Sequence, residues 1–262
     1  MPSADSEATL KLYYFNLRAL GEVIRFMLTH SRLEWEDCVV SIEEWDSGCF
    51  DKSFLPEGYT GQKKLPVLSI TTGNTTRLMP ESHDIAKWIA QQCEPSLLGA
   101  TTECQAKAER LFDFYNNNSY ASMVDPVLNY FSIDDAISQL PKVMDSLSEM
   151  LSLLSQEIQE GPYVCGRDLT YADFAIFHLL DNLGTLLGED NVLETAAPDG
   201  TLRAFYDKMY RLPSVSGRML ERPLAGTGEV GREGSIIYTS KAPSRLEFVQ
   251  TVWKEKYHSK IE

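Results

Sequence analysis

Several signatures of common protein classes are missing from this chain of 262 residues. No apolar run approaches the ~18 residues that a membrane-spanning helix needs, so the sequence predicts no membrane span. The opening decapeptide MPSADSEATL contains acidic side chains and lacks the basic-then-apolar pattern of a secretory signal. The sequence also has neither a glycine-rich phosphate loop between a strand and a helix nor a GxSxG nucleophile elbow. We therefore expect a cytoplasmic protein without these two kinds of active site.

Cysteine and histidine are scarce and are not arranged in ligand pairs. The five cysteines include no CxxC pair, and their odd number, the chain length and a cytoplasmic compartment disfavour a disulfide framework. The four histidines lack the spacing of metal ligands. We therefore predict reduced thiols and no metal site. The positions concerned are Cys38, Cys49, Cys93, Cys104 and Cys165, and His30, His83, His178 and His258.

Positive charge is also in short supply. The chain has 24 Lys and Arg against 38 Asp and Glu, which gives a formal net charge of −14. Because phosphate binding relies on clustered basic side chains, nucleic acid is not an expected partner. The remaining composition, 43% hydrophobic and 24% charged, is that of a globular protein with a buried core. The length allows one large domain or two modest ones.

The first third of the chain alternates between strand and helix patterns. Residues 9–15 alternate in polarity and are rich in aromatic side chains, which predicts a strand. Residues 21–33 have the apolar spacing of a helix, and residues 36–42 predict a second strand. Glycine and proline punctuate residues 43–64, which we interpret as an irregular loop.

The next segment combines a strand hairpin with a polar helix start. Pro66 begins an apolar strand; since it donates no ladder hydrogen bond, it suits an edge, a bulge or a cis turn. A glycine–asparagine pair marks a hairpin, and a second short strand follows. Glu81, Ser82, His83 and Asp84 then form a helix start that is rich in groups able to hold a charged end of a ligand. We interpret residues 63–90 as a ligand-binding strand–hairpin–helix unit.

Beyond residue 101 the pattern predicts helices and almost no strand. Residues 106–123 and 133–160 have the periodicity of long helices, and residues 201–222 contain two short ones. The second of these begins at Pro213. Residues 224–262 predict a loop followed by a candidate amphipathic helix.

One helix start has a clear local signal. Thr170 and Asp173 form an N-cap pairing ahead of an apolar run, and Leu169 with Phe174 fits a hydrophobic staple. We therefore interpret Asp173 as a folding residue rather than a catalytic acid. Arg25, on the first helix, is interpreted as a member of a structural ion pair.

Tyr14, at the end of the first strand, is the candidate for chemistry. A phenol O–H can donate a hydrogen bond to a thiolate, which lowers the pKa of a bound thiol and increases the nucleophilic fraction at neutral pH. The simpler interpretation is that Tyr14 is a strand aromatic that packs in the sheet. The pattern alone favours the simpler interpretation.

Four motifs together resemble the cytosolic glutathione S-transferases: LYYFNLRALGEVIRF, KKLPVL, PESHDIAKWIA and DLTYADFAIF. The opening motif is most similar to the sigma, alpha, mu and pi group, whose members use a tyrosine. The resemblance covers about residues 9–223. It implies an α/β thioredoxin-like N-terminal domain over residues 9–93 and an all-α helical-bundle C-terminal domain over residues 101–223. Residues 224–262 would form a C-terminal extension, and a homodimer is expected.

The resemblance also assigns roles to individual residues. Tyr14 matches the catalytic tyrosine that hydrogen-bonds the sulfur of glutathione, a cosubstrate. Pro66 matches a cis-proline, and the backbone of Leu65 would pair with the cysteinyl part of the tripeptide by strand addition. The remaining matches concern the two ends of glutathione: Glu81 and Ser82 for the γ-glutamyl end, and Trp45, Lys52 and Lys64 for the glycine end.

The sequence departs from the family pattern at several positions. Leu20 replaces a second arginine, Glu81 replaces the glutamine usual in the tyrosine classes, and Asn117 stands where a partner-subunit aspartate is often found. The extension after Pro223 has no counterpart.

The function that the resemblance implies is transfer of the glutathione thiolate to an apolar electrophile held between the domains. The alternatives are a glutathione-dependent isomerase, in the manner of prostaglandin D synthase, and a non-catalytic protein of the same fold, like the lens S-crystallins. The departures motivate the non-catalytic alternative.

Overall fold

A four-stranded sheet with helices forms the N-terminal part of the described chain. The structure is a computed structural model and describes residues 8–15, 18–93, 95–116, 147–158, 161–187, 189–195 and 198–221. The N-terminal elements are β1 (Thr9–Phe15), α1 (Ala19–Ser31), β2 (Trp35–Val40), α2 (Ile42–Ser47), β3 (Val67–Thr72), β4 (Thr75–Pro80) and α3 (Ser82–Gln92).

The strand order of this sheet is β2-β1-β3-β4. β1 pairs in parallel with β2 and antiparallel with β3, and β3 pairs antiparallel with β4. The predicted hairpin is confirmed, since Thr72 pairs with Thr75 around the glycine–asparagine turn. β3 lies inside the sheet, so the predicted strand proline does not occupy an edge. Pro66 precedes β3 instead, and the Leu65–Pro66 peptide bond is cis.

The short helix α2 was not predicted, because residues 43–64 were interpreted as an irregular loop. Its sequence signal is a capping box: the Ser41 side chain accepts from the Glu44 N–H at 3.1 Å, and the Ser41 N–H donates to the Glu44 carboxylate at 3.0 Å. Gly48, at φ 76°, follows the helix in the left-handed region. Ser41 lies within residues 36–42, which were predicted as a strand, so its capping signal was not recognised.

The described part after residue 101 is helical. Its elements are α4 (Thr102–Phe114), α5 (including residues 147–158), α6 (Tyr171–Leu187), a π-helical turn (Asn191–Thr195), α7 (Thr201–Tyr210) and α8 (Pro213–Glu221). The two short helices and the start at Pro213 are confirmed. The remaining parts of the two predicted long helices, and the extension over residues 224–262, lie outside the described residues.

Helix α1 lies between the sheet and the C-terminal helices. It packs against α3 on one side and against α6 and α8 on the other. Its side chains from Val23 to Leu28 are almost completely buried. The sheet contributes Leu10, Leu12 and Tyr14, which alternate with half-buried residues along β1, as a strand with one covered face requires. The α/β and all-α parts therefore share one apolar core through α1.

The prediction of reduced thiols is wrong for one pair of cysteines. Cys104 and Cys165 form a disulfide that joins α4 to the turn before α6, with a Cα–Cα distance of 5.6 Å. A sequence separation of 61 residues gives no local signal for such a pair, because the fold alone brings the two positions together. Cys38, Cys49 and Cys93 are free.

Among the described residues, no helix is both long and apolar enough to cross a membrane. Within the same residues, no group of three or more His, Cys, Asp and Glu side chains is arranged to hold a metal ion.

Candidate functional site

One end of the sheet brings together three of the predicted site residues. Tyr13 pairs with Val67, and Val67 pairs with Pro80. Tyr14, Pro66 and Glu81 are the chain neighbours of Tyr13, Val67 and Pro80 on the same side of this row of pairs. These three residues therefore lie at the same end of the sheet, just beyond the last β1–β3 and β3–β4 pairs.

Tyr14 is 5% exposed and packs on the face of β1 that is covered by α1. Burial raises the pKa of its phenol to about 12, while the Arg25 guanidinium and hydrogen bonds from the backbone of Leu20 and Gly21 oppose that rise. The guanidinium carbon of Arg25 lies 5.6 Å from the ring centroid. The phenol is therefore protonated at neutral pH, and a protonated phenol can donate a hydrogen bond to an anion.

Gly21 makes this packing feasible. A Cβ atom at Gly21 would lie 2.1 Å from Cδ1 of Tyr14, closer than any real side chain allows. The first turn of α1 thus lies directly on the phenol ring.

Glu81 lies between β4 and α3 with φ 69°, a conformation that non-glycine residues rarely adopt. Its carboxylate accepts a hydrogen bond from the backbone N–H of Tyr59 at 2.7 Å. A Cβ atom at Gly58 would lie 2.2 Å from the same carboxylate oxygen, so the loop approaches closely only because residue 58 is a glycine. The Tyr59 hydroxyl donates to Asp84 on the first turn of α3. The loop before β3 therefore fixes the position of the Glu81 carboxylate.

Ser82 is the first residue of α3 and is 6% exposed. Its hydroxyl donates to the side-chain oxygen of Asn116, just beyond α4, at 3.3 Å. The helix start at this site is thus tied to the all-α part of the chain. Asn117, the position of the predicted subunit contact, lies outside the described residues.

Trp45 and Lys52 form a second cluster next to the same end of the sheet. The ammonium of Lys52 lies 4.1 Å from the Trp45 ring centroid, in a cation–π contact. The Trp45 ring packs edge-on against Phe15, the last residue of β1, at 5.4 Å between centroids. Lys64 is exposed and directly precedes Leu65. The structure therefore places Trp45 and Lys52 in contact with each other and Trp45 against Phe15, the residue after Tyr14. Lys64 is near the site only as the residue before Leu65.

Buried charges surround the site on the side of α1. Arg25 bonds the Asp37 carboxylate at 2.8 Å and the Phe15 carbonyl at 3.0 Å, which confirms its predicted role in a structural ion pair. Arg218, on α8, donates to both oxygens of Glu22 at 2.9 and 3.0 Å. Burial alone would raise the pKa of Glu22, but the two arginines lower it to about 2. Glu22 is therefore ionised at neutral pH.

Sequence reasoning missed a polar contact layer between α1 and α6. Nε2 of His178 lies 2.8 Å from the carbonyl oxygen of Ala19, and Arg18 lies 3.8 Å from Asp181. His178 and Asp181 lie on α6, four and seven residues after Phe174, on the run predicted to be an apolar helix face. The signals in the sequence were the histidine and the aspartate inside this otherwise apolar run.

Comparison with known proteins identifies relatives of this chain. The family model "Glutathione S-transferase, C-terminal domain" matches residues 135–217. Over 182 residues the chain is 30% identical to "Probable glutathione S-transferase 8" of Caenorhabditis elegans, covering 67% of this chain and 81% of that protein. It is 25% identical over 215 residues to "Hematopoietic prostaglandin D synthase" of Mus musculus, covering 81% of this chain and 96% of that protein.

Solved structures also share this fold. The solved structure "Fasciola hepatica sigma class GST" superposes with a TM-score of 0.69 at 22% identity, covering 84% of this chain and 99% of that one. The chain is therefore a two-part protein with a thioredoxin-like sheet followed by an all-helical domain. It belongs to the glutathione S-transferase family.

Proposed function

We propose that the protein is a glutathione transferase of the tyrosine type, with Tyr14 as the group that activates the thiol. The observation that carries the proposal is that Tyr14, Pro66 and Glu81 lie at the same end of the sheet, just beyond the last pairs of three adjacent strands. The protonated phenol of Tyr14 supplies a hydrogen-bond donor. Leu65 would bind the backbone of the tripeptide, and Glu81 and Ser82 would bind its charged end.

The remaining predicted residues define how the tripeptide would lie. The Leu65 backbone precedes the β3 ladder, so it offers its polar groups to an extended peptide beyond the last paired residue. Glu81 attracts the ammonium and the N-terminal turn at Ser82 favours the carboxylate of the γ-glutamyl end. Trp45, Lys52 and Lys64 hold the glycine end, where the two ammonium groups attract its carboxylate.

The chemistry is a nucleophilic displacement. The Tyr14 O–H donates to the glutathione sulfur and stabilises the thiolate, while the thiol proton passes to solvent. With an aryl halide, the thiolate forms the new C–S bond and the halide leaves with the electron pair. Holding the thiolate next to the electrophile supplies a further part of the rate enhancement. We also propose a homodimer and a cytoplasmic, detoxifying role.

Replacing Tyr14 with phenylalanine tests this function. Because a hydrogen bond to a charged group contributes about 1.5–3 kcal/mol, conjugation of a generic aryl halide at neutral pH should fall by about 10- to 100-fold. Tyr13→Phe is the matched control, since Tyr13 lies on the opposite face of β1, against Phe54 at 5.4 Å. Equal rates in the two variants would show that Tyr14 does not activate the sulfur.

A glutathione-dependent isomerase is the second candidate, favoured by the similarity to a protein named hematopoietic prostaglandin D synthase. The two activities share the same residues and differ in the fate of the thiol. Mass analysis of products separates them, because conjugation leaves the tripeptide on the product and isomerisation releases it. Binding to immobilised glutathione with no turnover of either kind would instead indicate a non-catalytic protein.

A further inference from the structure

We propose that His178 is a positioning residue for Tyr14, acting through the backbone at the start of α1. This inference rests on the proposed function of Tyr14. The contact that carries it is the 2.8 Å approach of His178 Nε2 to the Ala19 carbonyl oxygen, across the boundary between the sheet and the C-terminal helices. Because a carbonyl oxygen only accepts, Nε2 carries the proton and donates it.

Ala19 is a strained position. Its φ of 31° lies in a region that non-glycine residues rarely adopt. Such a conformation persists only where the surroundings determine it. The buried hydrogen bond from His178 to the Ala19 carbonyl holds the residue in this conformation.

The backbone directly after Ala19 reaches the phenol. The Tyr14 ring lies so close to Gly21 that no Cβ atom would fit there, and the backbone of Leu20 and Gly21 lowers the pKa of the phenol. A shift of a few tenths of an ångström at Ala19 therefore moves the phenol oxygen or its donors. His178 controls where Tyr14 directs its O–H.

The position of His178 is itself well determined. The imidazole is fully buried on α6. The rings of Phe26 and Tyr115 lie 6.4 and 6.0 Å from the imidazole. The imidazole therefore transmits the position of α6 to the first turn of α1.

The test compares two amides at position 178. The His178→Gln side chain reaches far enough to keep the hydrogen bond to Ala19, while His178→Asn is too short. The apparent pKa of the glutathione thiol is measured in each complex from the ultraviolet absorbance of the thiolate. We expect His178→Asn to raise this pKa by about 1, and His178→Gln to titrate like the unmodified protein.

His30→Asn is the matched control. His30 also joins α1 to the C-terminal helices, through Ser214 at 3.0 Å, but at the opposite end of α1 from Tyr14. It should leave the thiol pKa unchanged. Equal titrations for His178→Asn and His178→Gln, or the same change in His30→Asn, would overturn the inference. Tyr14→Phe, titrated in parallel, tests the proposed function separately: if it does not change the thiol pKa, the proposed function itself fails.

Discussion

Tyr14 combines the two roles that the sequence left as alternatives. Its ring is a buried strand aromatic, and its position just beyond the Tyr13–Val67 pair places it at the same end of the sheet as Pro66. The residue was therefore predictable as a candidate. Its electrostatic surroundings were not, because Arg25 and the backbone of Leu20 and Gly21 reach the phenol only through the packing of α1 on the sheet.

Glu81→Gln separates two properties of the residue that replaces the glutamine usual in the tyrosine classes. The amide oxygen can still accept the hydrogen bond from Tyr59, so the loop should keep its position. The negative charge is lost, so the attraction to the γ-glutamyl ammonium weakens by about 1 kcal/mol. We expect the KM for glutathione to rise about fivefold, with kcat nearly unchanged, in steady-state kinetics.

Glu34→Gln provides the charge-matched control for this prediction. Glu34 is exposed and directly precedes β2, at the end of the sheet opposite to Tyr14. The KM of Glu34→Gln for glutathione should equal that of the unmodified protein. An unchanged KM in Glu81→Gln would show that Glu81 serves the loop alone.

The start of α6 is the clearest case of an element whose sequence signal has a structural counterpart. Asp173 is fully buried and accepts three hydrogen bonds, from the Val164 N–H at 2.8 Å, the Thr170 N–H at 2.7 Å and the Thr170 hydroxyl at 2.8 Å. The prediction that Asp173 is a folding residue is consistent with this geometry. The hydroxyl donates to the carboxylate, whereas a simple N-cap would accept from the backbone. The hydrogen bond from Val164 could not be predicted, because Val164 belongs to a separate turn, nine residues before Asp173.

Asp173→Asn should destabilise the protein without affecting its chemistry directly. An amide of the same shape accepts through one oxygen only and directs its own N–H groups at other donors, so the free energy of unfolding should fall by about 3 kcal/mol. Urea unfolding followed by circular dichroism measures the loss. Asp168→Asn, an exposed position in the same turn, should change stability by less than about 0.5 kcal/mol. Similar midpoints for both variants would contradict the assigned role.

Other elements show where local patterns stop being informative. The hairpin between β3 and β4 and the start of α8 at Pro213 depend on turn residues, and the sequence predicted both correctly. Helix α2 was missed although Ser41 and Glu44 form a capping box. The Cys104–Cys165 disulfide depends on tertiary proximity alone, which no local pattern contains.

The molecule as a whole is joined through buried charges on α1. Glu22, 1% exposed, links α1 to α8 through Arg218, across 196 positions of the chain. The sequence predicted the α/β and all-α parts, and it is the source of all the residues proposed to bind glutathione. It could not predict the polar layer between them, because Glu22, His178 and Asp181 are ordinary members of helical patterns until the two parts meet.

Acid should weaken this link in a defined pH range. The pKa of Glu22 is about 2 in the folded protein against an ordinary value of 4.5, so its ion pairs stabilise the fold above pH 4.5 and this stabilisation is lost as the pH falls towards 2. Glu22→Gln should be less stable at pH 7. Between pH 4 and 3, the free energy of unfolding of the unmodified protein should fall by about 1 kcal/mol per pH unit more than that of the variant.

The stability gap between the unmodified protein and Glu22→Gln should therefore narrow on acidification, as measured by denaturant titrations at each pH. Glu149→Gln, at an exposed position of α5, should show a pH dependence parallel to that of the unmodified protein. A constant gap for Glu22→Gln would show that the carboxylate contributes no pH-dependent stability.

The most direct test of the proposed chemistry is the ionisation of glutathione bound to this protein. The thiolate absorbance of the complex, titrated against pH, should give a pKa well below the ordinary thiol value of about 8.5. In Tyr14→Phe the pKa should return by about 1 to 2 towards that value while glutathione stays bound through Leu65, Glu81 and Ser82. An identical low pKa in Tyr14→Phe, or an unshifted thiol in the unmodified complex, would contradict the role assigned to Tyr14.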